Sequence, residues 1–150
     1  MSYDLSKPLV IGISSRALFN LEQENKIFEE QGVEAYEAYQ VAHENEILQK
    51  GAAFQLIKAF LELNNTELGR LVEVIIMSRN NANTCLRIFN SIQYYGLDIT
   101  RATLTSGAEI APYLKAFKTD LFLSANSVDV QSAINDGIAA GRILTGDAHA

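Results

Sequence analysis

The sequence contains few cysteines, few prolines and no long apolar segment. Cys85 is the only cysteine among 150 residues, which excludes an intrachain disulfide and a zinc site built from several cysteines. Two prolines and nine glycines exclude a collagen-like or low-complexity chain. No apolar run approaches the roughly 20 residues of a membrane-spanning helix, and residues 1–8 lack the pattern of a signal peptide. We therefore expect a soluble, cytoplasmic protein without a membrane partner.

Basic residues are also scarce. The 12 lysines and arginines are outnumbered by 18 acidic residues, and the formal net charge is −6. Proteins that bind nucleic acids need a basic surface to neutralise phosphates, so we expect no nucleic-acid partner. One domain suits this length, because folding buries roughly 68–70% of the surface of such a chain. We interpret residues 1–150 as a single domain.

Short apolar runs have the length and β-branched content of buried strands. They cover residues 9–13, 71–77, 102–104, 121–123 and 142–144. Between them the apolar residues recur at helical spacing, so the strands are joined by helical crossovers. The pattern predicts an α/β fold with three layers, in which a mostly parallel sheet carries helices on both faces.

Capping residues predict where the helices begin and end. Asn80 or Asn81 is placed to cap the helix that contains Cys85, because an amide oxygen can accept a free backbone N–H. Gly96 is placed to end that helix in the left-handed conformation. Ser127 is placed to cap a last helix that reaches about residue 138.

The segment between the first two strands is too long for one crossover helix. It has about 56 residues, and eight glutamates fall within residues 22–46. Two or three helices fit here, so we predict a helical insertion at about residues 20–65 that stands over the sheet edge. Its glutamates alternate with apolar residues, which is typical of a solvated helical face.

Polar residues follow the first two strands. Because ligands of parallel α/β sheets bind outside the carboxyl ends of the strands, these side chains are candidates for a phosphate or nucleotide site. They offer hydroxyl, amide and guanidinium groups, which bind anions. The candidates are Ser14, Ser15, Arg16, Ser78, Arg79 and Asn80.

A structural role for the same residues is an open alternative. Hydroxyl and amide residues commonly end strands and cap helices, which would account for Ser78 and Asn80. Arg16 would then form a salt bridge with the glutamate-rich insertion.

Motifs of several enzyme classes are absent. The sequence has no phosphate-binding glycine loop, no dinucleotide-binding motif and no serine-hydrolase elbow. His43 and His149 are interpreted as surface or capping residues, and Cys85 as a core residue. The acids Glu109 and Asp120 are expected near the site, but no two acids have the spacing of a nucleophile and an acid/base on one strand end. We therefore assign no catalytic residue.

A series of colinear motifs resembles the type I cytosolic 5'-nucleotidase family from about residue 7 to residue 144. The motifs are SSRALF at 14–19, EQGVEAY at 30–36, HENE at 43–46, MSRNN at 77–81, FNSI at 89–92, YGLDI at 95–99 and FLSAN at 122–126. The resemblance implies hydrolysis of nucleoside 5'-monophosphates with Mg²⁺, on a haloacid-dehalogenase-like fold with a helical cap after the first strand. It also implies a family chain about twice as long, of which this would be the N-terminal half, with the Asp-x-Asp motif in the second half.

The catalytic positions of the family are occupied by other residues here. The chemistry needs one carboxylate to attack phosphorus and a second, two residues on, to protonate the leaving oxygen. The resemblance places Ile13 and Ser15 at these two positions, and neither can replace a carboxylate. Only the hydroxyl of the second motif, Ser78, is retained.

The metal positions differ in the same way. The acid pair that would hold Mg²⁺ falls on Ser124 and Ala125, and the expected lysine falls near Glu109 or Ile110. We therefore expect no Mg²⁺ ligands in this chain, and a structural or phosphate-binding half that works with a second catalytic half or another copy. The alternatives are a stand-alone nucleotide-binding or dimerisation module, and an enzyme of unfamiliar mechanism.

Overall fold

Strands and helices alternate along the chain in a computed structural model that describes residues 7–80, 85–99 and 101–145. The strands are β1 (Leu9–Ser14), β2 (Val72–Ser78), β3 (Arg101–Leu104), β4 (Leu121–Ser124) and β5 (Ala139–Arg142). Their order in the sheet is β3-β2-β1-β4-β5, and every pairing is parallel. The fifth strand was predicted at residues 142–144, which was wrong, because the strand begins three positions earlier in the chain. Its pairing with β4 ends where Ser124 lies opposite Arg142.

The helices follow the strands in the expected alternation. They are α1 (Ser15–Leu18), α2 (Glu22–Gln31), α3 (Val33–Ala42), α4 (Phe54–Glu62), α5 (Leu86–Tyr94), α6 (Ala111–Ala116) and α7 (Ser127–Asn135), with a short 3₁₀ turn at Leu63–Asn65. No helix within the described ranges has the length and apolar character needed to cross a bilayer.

Two apolar cores flank the sheet. Ile76 of β2 packs in a cluster with Ile57 of α4, whereas its neighbour Ile75 packs in a second cluster with Leu114 of α6 and Ala133 of α7. Successive residues of a strand face opposite sides of the sheet, so helices cover both faces. The predicted three-layer α/β architecture is confirmed.

The N-terminal caps of two helices differ from the prediction. Helix α5 begins without a side-chain cap, and Cys85 occupies the N-cap position. The side chain of Asn80 instead contacts Ser78, while Asn81 lies outside the described residues. The cap of α7 is Asn126 rather than Ser127, because its Oδ1 accepts the N–H groups of residues 128 and 129. Gly96 has φ +67°, which confirms its predicted left-handed conformation after α5.

Helices α2 and α3 form a cap hairpin, defined here as residues 22–42. They pack against each other and are joined by Gly32, whose φ of +91° is a conformation that glycine adopts readily and other residues rarely adopt. The chain before the cap hairpin is hydrogen-bonded to the chain after it, and this is the base of the segment. Asn20 N–H donates to Gln49 O at 2.9 Å, and Phe19 forms an antiparallel β-bridge with Lys50. Helix α4 packs on the sheet instead, whereas α2 and α3 extend over the carboxyl ends of the strands.

The chain also passes very close to itself at this base. A Cβ added to Gly51 would lie 2.7 Å from the backbone N and C atoms of Phe19, a distance that no side chain tolerates. Glycine is therefore required where the segment returns to the sheet.

Candidate functional site

A cavity of about 530 Å³ lies between the cap hairpin and the carboxyl ends of the strands. The ends of β1, β2 and β4 form its floor, and the cap hairpin forms a wall that includes Phe28 and Val33. Strand β1 is central, and the chain leaves it toward β2 on one side and reaches β4 on the other. Such a reversal of strand order opens a crevice in parallel α/β sheets.

All the candidate residues from the sequence line this cavity. They are Ser14, Ser15, Arg16, Ser78, Arg79 and Asn80. The structure therefore brings these six side chains together at the ends of the strands. Ligand binding by these residues stays a prediction.

Ser14 connects the ends of two strands. Its Oγ accepts the N–H of Ala17, which caps α1, and the N–H of Ala125 after β4, both at 3.2 Å. A hydroxyl has two acceptor positions and one proton. With both acceptor positions occupied, the Ser14 hydroxyl can only donate to a further partner.

Ser78 is restricted in the same way. Its buried Oγ accepts the backbone N–H of Asn80 at 3.1 Å and the side-chain Nδ2–H of Asn80 at 2.7 Å. The Oγ of Ser15 lies 3.5 Å from it. Ser78 can therefore donate to Ser15, which leaves the proton of Ser15 for another acceptor.

Arg79 is held by a carboxylate that also lines the cavity. Its Nε and Nη2 donate to the two oxygens of Asp129 in the first turn of α7, and its Nη1 donates to Gly107 O at 3.4 Å. The hydrogen bonds to Asp129 raise the pKa of the Arg79 guanidinium above its ordinary value. Asp129 was not among the residues predicted from the sequence, although its place three residues after the capping Asn126 was a usable signal.

Arg16 also has a carboxylate partner. Its Nε and Nη2 donate to the two oxygens of Glu22, each at 3.2 Å. These bonds hold the pKa of Glu22 below its ordinary value of 4.5. The salt bridge between Arg16 and the glutamate-rich insertion, one of the two alternatives for this residue, is confirmed.

The charges around the cavity do not favour an anion by themselves. Its guanidinium groups, those of Arg16 and Arg79, are already paired. Carboxylates also line it, on the side chains of Glu24, Glu29, Glu37 and Asp129. The donors that remain are the hydroxyls of the floor, and an anion could pair with Arg79 only by displacing Asp129.

A buried ion pair anchors the cap hairpin to α5. Arg87 donates from Nη1 to Glu24 Oε1 at 2.8 Å, and the two residues are 7% and 4% exposed. Arg87 Nε also donates to Glu46 O at 2.9 Å. Glu24 is therefore an exception to the predicted solvated face of the insertion. An arginine among the apolar residues of a helix was the available signal for this pair.

The positions that the family resemblance gives to catalytic and metal-binding acids hold no carboxylate. Ile13 is fully buried in the core, and Ser124 Oγ accepts the N–H of Asn126 at 3.0 Å. Within residues 7–80, 85–99 and 101–145, no three His, Cys, Asp or Glu side chains are grouped so that they could hold a metal ion. The donor set at these positions does not fit Mg²⁺, which prefers carboxylate oxygens.

The two acids expected near the site lie in different places. Glu109 is close enough to raise the pKa of Arg79 through its charge, although Asp129 dominates that shift. Asp120 precedes β4 and accepts the N–H of Val10 near the start of β1 at 2.8 Å. Its expected place near the site was therefore wrong, because it lies at the amino ends of the strands.

Comparison with known proteins identifies relatives of the chain. A family model described as 5'-nucleotidase matches residues 1–150. Cytosolic 5'-nucleotidase 1B of Homo sapiens is 40% identical over 145 residues, which cover 92% of this chain. The chain spans 24% of the length of that relative, less than the half that the resemblance implied. No solved structure matches the chain.

Proposed function

The chain belongs to the type I cytosolic 5'-nucleotidase family, and we propose that it is a part of such a protein that binds a phosphate-bearing ligand without hydrolysing it. The reaction proposed for the whole protein is hydrolysis of a nucleoside 5'-monophosphate to nucleoside and phosphate. The proposed location is the cytoplasm.

The residues at the end of β1 carry this proposal. Hydrolysis by the family's route needs a carboxylate that attacks phosphorus and a nearby acid that protonates the leaving oxygen. Here Ile13 is buried in the core, and Ser15 offers a hydroxyl. We therefore assign the reacting carboxylates and the Mg²⁺ ligands to another part of a longer chain or to a partner chain, and propose no metal-dependent step for these residues.

The proposed ligand contacts are hydrogen bonds from the floor of the cavity. The hydroxyl of Ser14 has its acceptor positions occupied, and that of Ser15 keeps its proton when Ser78 donates to it, so both suit a ligand oxygen that only accepts. Phosphate oxygens are of this kind. Arg79 would add a charge-assisted contact by exchanging Asp129 for phosphate. Because this exchange breaks an existing ion pair, we expect weak binding.

A stand-alone binding module is the second candidate. The observation in its favour is that the described residues of this chain form the floor and the wall of the cavity without a partner. The two candidates differ when this chain is combined with the remaining segments of a family member. A binding part of an enzyme changes the Michaelis constant of the combined protein when its serines are mutated, whereas an independent module leaves that constant unchanged.

Calorimetry with AMP, adenosine and inorganic phosphate tests the proposal. We expect AMP and phosphate to release or absorb heat at millimolar concentration and adenosine to bind more weakly, because the donors recognise phosphate oxygens. Ser78→Ala should weaken the binding of AMP and phosphate. If neither AMP nor inorganic phosphate binds, the proposal is contradicted.

A further inference from the structure

A continuous series of hydrogen bonds runs from the buried arginine of α5, through the cap hairpin, to the floor of the cavity. Arg87 Nη1 donates to Gln40 Oε1 at 3.2 Å, and Gln40 Nε2 donates to the Tyr36 hydroxyl at 3.3 Å. Tyr36 donates to Asn80 Oδ1, and Asn80 Nδ2 donates to Ser78 Oγ at 2.7 Å. The series ends at Ser15, 3.5 Å from Ser78.

The direction of every donation is set by the first residue. A guanidinium group donates and cannot accept, so Gln40 must turn its oxygen toward Arg87 and its N–H toward Tyr36. Tyr36 accepts that N–H and uses its own proton on Asn80. This fixes the orientation of the Asn80 amide, whose N–H groups must then face Ser78.

The last hydrogen bond of the series, between Ser78 and Ser15, reaches the floor of the cavity. Since Ser78 Oγ accepts two N–H groups from Asn80, its proton is available to Ser15, and the proton of Ser15 is available to the cavity. Hydrogen bonds that all point the same way polarise one another. The buried cation therefore favours a donor, rather than an acceptor, at the floor of the cavity.

We propose that Tyr36 is a positioning residue that acts through Asn80: it holds Ser78 as a donor to Ser15, so that the Ser15 hydroxyl is ready to donate to an oxygen of a bound phosphate. The cap hairpin and the floor of the cavity are then one hydrogen-bonded unit. The ligand part of this inference rests on the proposed function, whereas the ordering of the floor by Tyr36 does not require any ligand.

The test compares Tyr36→Phe with a matched control on the same helix. Tyr36→Phe keeps the ring, which packs edge-on against Phe28 at 5.8 Å, and removes only the hydroxyl. Tyr39→Phe also removes a phenol hydroxyl from α3, one that is not a member of the series. It keeps the ring of Tyr39, which stacks on His43 and lies 5.9 Å from the guanidinium carbon of Arg87. Gln40→Glu is a second variant of almost the same shape, in which the carboxylate accepts from Tyr36 and so turns the phenol proton away from Asn80.

Hydrogen exchange of the free protein is the first readout. We expect the backbone amide of Asn80, which donates to Ser78, to exchange several times faster in Tyr36→Phe and Gln40→Glu than in the unmodified protein or Tyr39→Phe. Equal exchange in all four proteins would overturn the inference, whether or not any ligand binds. Equal acceleration by Tyr39→Phe would also overturn it, since the effect would then be one of hairpin packing.

Calorimetry with inorganic phosphate is the second readout. We expect Tyr36→Phe to weaken phosphate binding about two- to tenfold, the range set by one neutral hydrogen bond, while Tyr39→Phe leaves it unchanged. Unchanged affinity in Tyr36→Phe would overturn the positioning role. If the unmodified protein does not bind phosphate, the proposed function fails, and hydrogen exchange alone decides the role of Tyr36.

Discussion

Arg79 at the end of β2 and Asp129 in the first turn of α7 form a two-point ion pair in the lining of the cavity, although 50 positions separate them in the chain. The side chain of Asp129 is 7% exposed and that of Arg79 is 39% exposed, so the carboxylate is buried while the guanidinium group remains reachable. The pair neutralises the cation that a phosphate would otherwise use. It is therefore expected to limit the affinity of the cavity for anions.

Removing the charge of Asp129 should strengthen phosphate binding. Asp129→Asn keeps the shape of the side chain, and Arg79 is then no longer paired with a carboxylate that phosphate must displace. We expect the affinity for inorganic phosphate, measured by calorimetry, to rise about two- to fivefold, which corresponds to about 0.5–1 kcal/mol for an ion pair whose cation is partly exposed.

Asp136→Asn is the matched control, because it removes the same charge from the exposed residue after α7. It should leave the affinity unchanged. Unchanged or weaker binding by folded Asp129→Asn would show that Arg79 does not contact the ligand.

The buried pair of Glu24 and Arg87 should dominate the stability of the cap hairpin. Glu24→Gln leaves the buried guanidinium without its counter-charge, and such changes destabilise proteins by about 3–5 kcal/mol. We expect a loss of about 3 kcal/mol in the free energy of unfolding, measured by urea denaturation. Glu30→Gln, an exposed residue of the same helix, should change it by less than about 0.5 kcal/mol. A loss below about 1 kcal/mol for Glu24→Gln would contradict the dominant role of this ion pair in the stability of the cap hairpin.

The pair of Arg16 and Glu22 should add a pH-dependent contribution to stability. Because hydrogen bonds from Arg16 lower the pKa of Glu22 in the folded protein, the unfolded chain takes up this proton first as the pH falls. The contribution is complete above the ordinary value of 4.5 and is lost as the pH falls through the lowered pKa. Both side chains are about one-third exposed, so we expect roughly 0.2–1 kcal/mol.

Glu22→Gln isolates this contribution. The free energy of unfolding of the two proteins, measured from pH 7 to pH 3, should differ most at neutral pH and converge at the acid end. A difference that stays constant over that range would show that Glu22 does not titrate with folding.

The sheet and the position of the site could be predicted from the sequence because both depend on local pattern. Apolar runs gave four of the strands nearly as observed, and the rule for parallel strands placed Ser14 and Ser78 at one edge. The fifth strand was misplaced because Ala139–Arg142 has little apolar character, and its register is set by pairing with β4.

The partners of the charged side chains could not be predicted in the same way. Glu24 contacts Arg87 and Arg79 contacts Asp129 only after the chain has folded, at separations of 63 and 50 positions. Arg16 and Glu22 are six positions apart, which was close enough in sequence for the insertion to be suspected as the partner of Arg16. Asp120 was placed at the wrong edge because residues just before a strand lie at its amino end.

The most direct test of the account is phosphate release from a panel of nucleoside 5'-monophosphates with Mg²⁺, using this chain and Ser78→Ala side by side. The account predicts no release above background by either protein, because no carboxylate stands at the end of β1. Release by the unmodified chain that Ser78→Ala abolishes would contradict it, and would show that a catalytic site exists among these 150 residues.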